Sequence, residues 1–230
     1  GRQAAVRLER PGLLGVGRVV APRFLPSAVV EPRLVADAHG NVVSLTQTLG
    51  RYYGAAWAAP SLGFLLNAFL EPLVSDDPAS AEYLRSGHAP QMPVTPLILL
   101  GDGRPVLVAG APGSSRIPSI LLNLVVALGD GGDALAAAYA RPRMIWEDDL
   151  AGPRVMLELA PPFREVDVAA LEEMGYPNVW VLRAPSRDSG VFGGIYGVAR
   201  DDASGTWTGI VDGRRAGVAA APARITPPAR

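Results

Sequence analysis

The strongest constraint on the fold is that two stretches of the chain read as β-hairpins. In the first, a strand starting at Leu34 leads into a polar turn at 38–41 and returns through 42–48, which is rich in β-branched residues. The second pairs 97–100 with 105–109 across a Gly-Asp-Gly turn. Apolar and β-branched runs joined by a short glycine-bearing turn are typical of antiparallel hairpins. The fold must therefore contain antiparallel sheet at both places.

Helical patterns are grouped after the second hairpin. Apolar residues recur at helical spacing over 117–128, and a glycine ends this helix. An alanine-rich helix over 133–140 stops at an Arg-Pro pair, and a third helix runs from an N-cap at Asp167 to Gly175. Further strand patterns lie at 155–159, 179–182, 191–199 and 206–211. Strands at both ends with helices between them predict a layered sandwich of sheets and helices.

Length and proline content suggest one domain with two irregular ends. The chain has 230 residues, 49% of them hydrophobic, which is enough for one sizeable core. Residues 1–33 carry several prolines and are expected to form an extended arm or an edge segment rather than a helix, with regular structure beginning after it. The domain proper is expected over 34–219, followed by a flexible tail at 220–230.

Composition excludes several classes of function. The charges nearly cancel, with 21 basic against 22 acidic residues, so we expect neither nucleic-acid binding nor attraction to an anionic membrane. Without cysteine there is no disulfide and no thiolate site. The longest apolar stretch, 117–128, falls short of the roughly 20 residues of a membrane span. The cellular compartment stays open.

The glycine-rich turn at 110–116 is the clearest candidate for chemistry. It lies between a predicted strand and the amphipathic helix, where unsatisfied backbone N–H groups can hold a carboxylate or stabilise a developing oxyanion. The same pattern also serves as a plain tight turn. Thr46 and Thr48, at the end of a strand, are a second candidate because hydroxyls can orient a nucleophile or a substrate. Alternating threonines also occur simply for their β-propensity.

Other polar features favour ordinary roles. His39 lies in a turn and His88 in the polar 75–96 segment, which we expect to be a lid or a connector, and neither histidine fits a catalytic triad. The acidic run 147–149 could bind a cation. The arginines at 141, 143 and 154 instead favour a solvated surface network.

Four segments together resemble one protein family. Residues 37–48 read D-A-H-G-N-V-V-S-L-T-Q-T, 65–67 read L-L-N, 110–116 read G-A-P-G-S-S-R and 141–143 read R-P-R. They are similar, in order and spacing, to segments of the small, C-terminal subunit of γ-glutamyltranspeptidases. Each segment alone is a weak signal, but their shared order makes the resemblance specific over about residues 30–215.

The resemblance implies an α+β fold, the N-terminal-nucleophile hydrolase-like αββα four-layer sandwich, with this chain as its small-subunit half. It also implies a large-subunit-like partner in a heterodimer or higher oligomer, a small-molecule substrate, and no cofactor or metal. In that family a precursor cleaves itself, and the new N-terminal threonine attacks a γ-glutamyl amide with its own amine as base. The catalytic positions carried over by motif are Thr48, Gly113 and Ser114, and the substrate-binding positions are Asn67, Ser115 and Arg116.

This chain departs from the family at the nucleophile. Counting back from Asp37, the nucleophile position falls on Val30, and no threonine occurs before Thr46. Valine has no hydroxyl to attack a substrate or to start self-cleavage. The other departures from the family's polar positions are Gly50, the Glu71-Pro72 pair, Met92 and Pro93. Glutathione should bind poorly, at a cost of roughly 1–3 kcal/mol for each unpaired group of the substrate.

Two functions follow from this pattern. The chain is either a degenerate, non-catalytic subunit that pairs with a large-subunit-like chain, or a repurposed hydrolase or transferase acting on a less polar amide, ester or carbon-carbon bond. In the second case Gly113 and Ser114 form an oxyanion hole, and the nucleophile is a water, a partner residue or Ser27. A pocket filled by Phe69, Met92 and Pro93 would favour the first function. A complex in which only the partner is active is a third variant.

Overall fold

A computed structural model describes most of the chain. The described residues are 5–7, 18–20, 30–58, 60–68, 70, 75–87, 92, 94–129, 132–149, 152–160, 165–176, 178–183, 189–201, 203–215 and 217–220. The helices among them are α1 (Ile117–Leu128), α2 (Leu135–Ala140) and α3 (Glu165–Glu173). The strands among them are β1 (Ala5–Arg7), β2 (Arg18–Val20), β3 (Val30–Ala36), β4 (Val42–Thr48), β5 (Leu97–Gly101), β6 (Arg104–Gly110), β7 (Met144–Asp149), β8 (Gly152–Leu159), β9 (Val179–Arg183), β10 (Tyr196–Arg200), β11 (Trp207–Val211) and β12 (Val218–Ala220).

The largest sheet has five antiparallel strands in the order β1-β11-β10-β6-β5. Strands β3 and β4 form a two-stranded sheet, and β2 pairs with β12. The third sheet, in the order β7-β8-β9, joins β8 to β9 in parallel, with α3 as the crossover between them. Among the helices of the described residues, none is long and apolar enough to cross a membrane.

Two apolar cores separate the layers. One core lies between the β3–β4 hairpin and the five-stranded sheet, with Leu34 and Ala36 against Val108, Val198 and Trp207. The side chains that alternate with them on the outer face of β4 are exposed, as expected for a sheet with one buried face.

The second core joins the other face of the five-stranded sheet to α1, α2 and the β7–β8 pair. Its members include Ile120 and Leu124 of α1, Tyr139 of α2, Ile145 of β7 and Met156 of β8. The order of layers is thus sheet, sheet, helix, which confirms the predicted layered α+β architecture. A second helical layer is not present among the described residues.

Both predicted hairpins and the 117–128 helix are confirmed. The turn between β5 and β6 uses Asp102 and Gly103, both with positive φ, at 49° and 75°. Two positive φ values in a two-residue loop match the right-handed twist of the flanking strands. Pro118 lies in the first turn of α1, where its missing N–H costs no hydrogen bond.

Other predicted boundaries are wrong. Helix α3 begins at Glu165, so Asp167 lies inside its first turn, where acidic residues also suit the helix dipole, and not at the cap. The predicted 191–199 strand begins only at Tyr196, because Gly193 has a φ of +63° and a short 3₁₀ turn, Ser189–Phe192, precedes it. Helix α2 begins two residues later than predicted, after an extended Ala134.

Regular structure also begins earlier than predicted. Strands β1 and β2 lie within the segment expected to be an extended arm or an edge segment, and β3 starts at Val30. Strand β1 is an edge strand of the five-stranded sheet, which agrees with the second alternative. It pairs with β11, and β2 pairs with β12, each about 200 residues away along the chain. A three-residue strand whose partner is so distant has no local sequence signal. Strand β7 was not predicted either, because the acidic residues at its end are typical of a solvent-exposed segment.

Candidate functional site

The candidate site lies where β6 ends against the β3–β4 hairpin. Ser44 Oγ donates a hydrogen bond of 3.1 Å to the carbonyl of Ala109. A Cβ atom on Gly110 would lie 2.7 Å from Pro32 Cβ and 3.6 Å from Thr46 Oγ1. Only a glycine permits this approach, so the two sheets are in close contact at the residue that opens the 110–116 turn.

The strand register places the expected nucleophile position at this end of the hairpin. Pro32 pairs with Thr46, and Val30 pairs with Thr48. The second pair therefore lies about 6.8 Å beyond the first, in the direction in which β6 leads into its turn. Thr48 Oγ1 accepts a hydrogen bond of 2.9 Å from the N–H of Gly50. Val30 thus occupies the backbone position opposite Thr48.

The turn itself contains two backbone N–H groups, those of Gly113 and Ser114, that could act as donors. Gly113 is buried, and a Cβ atom there would lie 2.6 Å from Ile120 Cδ1. Ser114 is exposed and has a φ of +56°, which is uncommon for a residue other than glycine. Within the described residues, no hydrogen bond from the N–H of Gly113 or Ser114 is formed. Two adjacent free N–H groups can stabilise an oxyanion.

Asn67 lies on a segment joined to the end of β4. The N–H of Ala68 donates a hydrogen bond of 2.9 Å to the carbonyl of Leu49. A second link, from the N–H of Ala55 to the carbonyl of Leu66, is also 2.9 Å long. The structure therefore brings Asn67, which is exposed, next to the Thr48 segment.

The side chains of Ser115 and Arg116 contact an acidic residue of β7. Arg116 Nη1 lies 2.7 Å from Glu147 Oε1, and Ser115 Oγ lies 3.4 Å from the same oxygen. Arg154 binds the other oxygen through Nε at 2.9 Å and Nη2 at 2.5 Å. Arg154 also stacks on Trp180, with 4.4 Å from its Cζ to the ring centroid.

The prediction that the acidic run belongs to a solvated surface network is wrong for Glu147. Its side chain is only 4% exposed, because strand alternation puts it on the same inward face as Ile145. Arg154 is the one of the three named arginines that binds it. Arg141 pairs instead with Asp133 at 3.1 Å, and Arg143 with Asp212.

Arg143 belongs to a second, deeply buried ion network. It donates to a carboxylate oxygen of Asp212 and, over 2.8 Å, to the carbonyl of Phe192. Arg214 binds Glu158 through Nη2 at 2.6 Å and Asp212 through Nη1 at 3.2 Å. Two guanidinium groups thus balance two carboxylates, and this network links β8 and the residues flanking β7 and β11.

The network shifts the pKa of its members. Burial, the largest single effect, would raise the pKa of the Asp212 carboxyl, but the charges of Arg143 and Arg214 outweigh it. The N–H groups of Arg214 and Ile195 also donate to this carboxylate, and its pKa lies below the ordinary value. Burial raises the pKa of the Tyr139 hydroxyl, and Asp212 adds to the rise.

The remaining predicted positions contribute less. His39 is exposed in the β3–β4 turn, and Met92 is 52% exposed, so it does not fill a pocket. Among the described residues, no three His, Cys, Asp or Glu side chains converge on a possible metal site. The positions that lie outside the described residues are Ser27, Phe69, Glu71, Pro72, His88 and Pro93.

Sequence reasoning missed the two ion networks. Glu147, Glu158 and Asp212 each follow or interrupt a run of apolar strand residues. A charged residue within such a run is a signal for a buried ion pair, because an unpaired charge there is costly. The arginine partners come from other strands, so the sequence pattern does not identify them.

Comparisons with known proteins agree with this geometry. The family model for γ-glutamyltranspeptidase matches residues 33–222. The glutathione hydrolase proenzyme of Bacillus subtilis is 31% identical over 185 residues, covering 80% of this chain and 29% of that protein. A protein of Arabidopsis thaliana named putative inactive glutathione hydrolase 4 is 37% identical over 93 residues, covering 36% of this chain and 49% of that protein.

A solved structure is similar as well. The γ-glutamyltranspeptidase of Helicobacter pylori matches with a TM-score of 0.65 and 24% identity, covering 80% of this chain and 99% of that one. The likeness confirms the α+β fold of N-terminal-nucleophile hydrolases. This chain spans less than a third of the length of the Bacillus subtilis proenzyme. On the family match and the shared fold, the chain belongs to the γ-glutamyltranspeptidase family.

Proposed function

We propose that this chain is a non-catalytic, structural γ-glutamyltranspeptidase-like subunit that pairs with a large-subunit-like chain. The observation that carries the proposal is the residue opposite Thr48 in the β3–β4 register. That position is Val30, the first residue of β3, and in the sequence it is joined to Val29, so it is not a chain terminus.

Valine at this position removes both halves of the family's chemistry. Its side chain offers no nucleophilic oxygen, and its backbone nitrogen is part of a peptide bond and cannot act as a base. The upstream residues are also used in the fold, since β1 extends the five-stranded sheet and β2 pairs with β12. The inactive status in the name of the Arabidopsis relative agrees with this proposal.

The partner is inferred from exposed apolar surface. Val43 and Leu45 on β4 are 55% and 50% exposed, and Ile98 and Leu100 on β5 are 42% and 63% exposed. Adjacent apolar side chains on open strands usually mark an interface. A partner supplying the missing helical layer would cover them, and the short span of the chain relative to its relatives supports such a partner.

The first experiment combines mass with activity. The full-length gene product is purified, its intact and native masses are measured, and release of a chromogenic anilide from a γ-glutamyl anilide is followed. We expect no cut before residue 30, a native mass above that of one chain, and no anilide release. A cut chain that begins with threonine or serine and releases the anilide would refute the proposal.

A restoration variant separates the lost nucleophile from the lost substrate contacts. Val30→Thr reintroduces the hydroxyl, and Val35→Thr makes the same change on the same strand, opposite Val43, as a control. Because the substrate positions 50, 72, 92 and 93 also depart, we expect neither variant to release the anilide. Turnover by Val30→Thr alone would show that only the nucleophile is missing.

A second function, a repurposed hydrolase, is favoured by two observations. Among the described residues, the N–H groups of Gly113 and Ser114 form no hydrogen bond and could serve as oxyanion donors, and Thr46 Oγ1, beside Gly110, is buried without a hydrogen-bond partner. Chromogenic acyl esters and acyl anilides without a charged head group test it. Hydrolysis that persists in the wild type and is lost in Thr46→Val would replace the first proposal with this one.

A further inference from the structure

A cavity of about 270 Å³ opens at the other end of the five-stranded sheet. It lies where the turns of the β3–β4, β5–β6 and β10–β11 hairpins come together. Strand β6 runs from Arg104 at this cavity to Gly110 at the candidate site. Six residue steps separate the two places by about 20 Å, so the cavity is independent of the 110–116 turn.

The cavity lining carries positive charge. Arg104 and Arg200 line it together with His39, and none of the described residues that line it has a carboxylate side chain. Arg104 is exposed, and within the described part of the chain its guanidinium forms no ion pair. Arg200 Nη2 lies 3.6 Å from the position that a Cβ atom on Gly205 would occupy, so this guanidinium rests against the β10–β11 turn.

The neighbouring carboxylates are bonded to their own turns. Asp37 accepts hydrogen bonds from the N–H of His39 at 2.8 Å and of Asn41 at 2.9 Å. Asp201 accepts from the N–H of Ala203 at 2.9 Å and of Ser204 at 3.1 Å. These local bonds occupy carboxylate oxygens that would otherwise compete for Arg104. Guanidinium groups bind carboxylate and phosphate groups in a bidentate manner.

The cavity also has an apolar wall. Trp207 lines it and is only 6% exposed, because its ring belongs to the core between the two sheets. A buried indole next to guanidinium groups suits a ligand that joins an anion to a flat apolar group. We propose that this cavity binds a small carboxylate or phosphate that carries an aromatic or similar planar group.

The test is calorimetric titration of the full-length gene product with benzoate and phenyl phosphate. Benzyl alcohol, which lacks the charge, and inorganic phosphate, which lacks the ring, are the control ligands. We expect both charged aromatic probes to bind more tightly than either control ligand. The tighter of the two probes indicates whether the natural ligand is a carboxylate or a phosphate.

Variants assign the binding to this cavity. Arg104→Gln is expected to weaken binding of the preferred probe at least about tenfold, equivalent to 1.4 kcal/mol. Arg85→Gln makes the same charge change on the 75–87 segment and should leave binding unaltered. His39→Gln, in an exposed turn, should weaken binding with the fold intact. The proposal is overturned if neither probe binds, or if Arg104→Gln and Arg85→Gln bind equally well.

Discussion

Replacement of Asp212 by asparagine tests whether the buried ion network holds the sheets together. Asp212 is 2% exposed, and its carboxylate binds Arg143 and Arg214 as well as the N–H of Ile195 at 3.1 Å. Asparagine has nearly the same shape but no charge. In the variant, two buried guanidinium groups share one carboxylate, that of Glu158, and the network gains a net positive charge.

The expected cost is large because one partner is removed while the others stay buried. Breaking a buried pair in this way costs about 3–5 kcal/mol. This is a substantial fraction of the 5–15 kcal/mol that stabilises a typical domain. For a domain of this size, the same loss lowers Tm by about 6–20 °C.

The assay is guanidinium chloride unfolding followed by tryptophan fluorescence, with the slope m compared between proteins. Asp201→Asn is the matched control, because it makes the same chemical change in an exposed turn. We expect the control to lose no more than about 1 kcal/mol. If Asp212→Asn loses as little as Asp201→Asn with equal m, the network does not carry the stability assigned to it.

Three further outcomes are expected. The pKa of Asp212 in the folded protein lies below the unfolded value of about 3.9. The stability that this carboxylate contributes is therefore complete above the unfolded pKa and is lost as pH falls through the folded pKa. The difference in unfolding free energy between wild type and Asp212→Asn, measured by urea unfolding, should therefore shrink in acid. Tyr139→Phe removes a buried hydroxyl that has no hydrogen-bond partner among the described residues. The variant should be more stable by about 1 kcal/mol in thermal unfolding, and a loss above 1 kcal/mol would reveal a partner for the hydroxyl. Ser114→Gly relieves a φ of +56° and should stabilise by up to about 1 kcal/mol in the same assay, whereas Ser115→Gly, two residues before α1, should not.

Local patterns predicted the elements whose contacts are local. The two hairpins and α1 are confirmed because turn chemistry and helical periodicity act over a few residues. Strands β1 and β2 escaped prediction because their partners lie at the far end of the chain. The burial of Glu147 escaped for a related reason, since a carboxylate at a strand end looks solvated until Arg116 and Arg154 are placed on both sides of it.

The same contrast between local patterns and distant contacts applies to the candidate site. The strand register places Val30 opposite Thr48. The close approach at Gly110 depends on how two sheets pack against each other, and the sequence predicted the hairpins but not that packing. Ser115 and Arg116 were expected to contact a substrate, and the structure shows both in contact with Glu147. The sequence could not predict these contacts because it did not predict β7. Which partner an arginine selects depends on the packing of separate strands.

The segments that resemble the family turn out to have structural roles. Gly110 permits the close approach of the two sheets, Gly113 packs against α1, Arg116 binds buried Glu147, and Arg143 lies in the buried network. The nucleophile position, Val30, differs from the family, and its backbone pairing with Thr48 requires no particular side chain.

This division means that the structural positions of the fold can be kept whether or not the catalytic positions are kept. A position that only pairs its backbone in a strand accepts many side chains. A position such as Gly110, where a Cβ atom would lie 2.7 Å from Pro32 Cβ, or one that holds a charge in a buried network accepts few. A match at such structural positions is therefore weak support for catalysis, even when the positions surround an active site in relatives. Support for catalysis must come from the nucleophile and the substrate contacts, and the expected nucleophile position carries Val30, which has no hydroxyl. The Val30→Thr variant changes this position alone. Together with the mass measurement it tests the proposed function while the buried ion networks and the close glycine contacts stay unchanged.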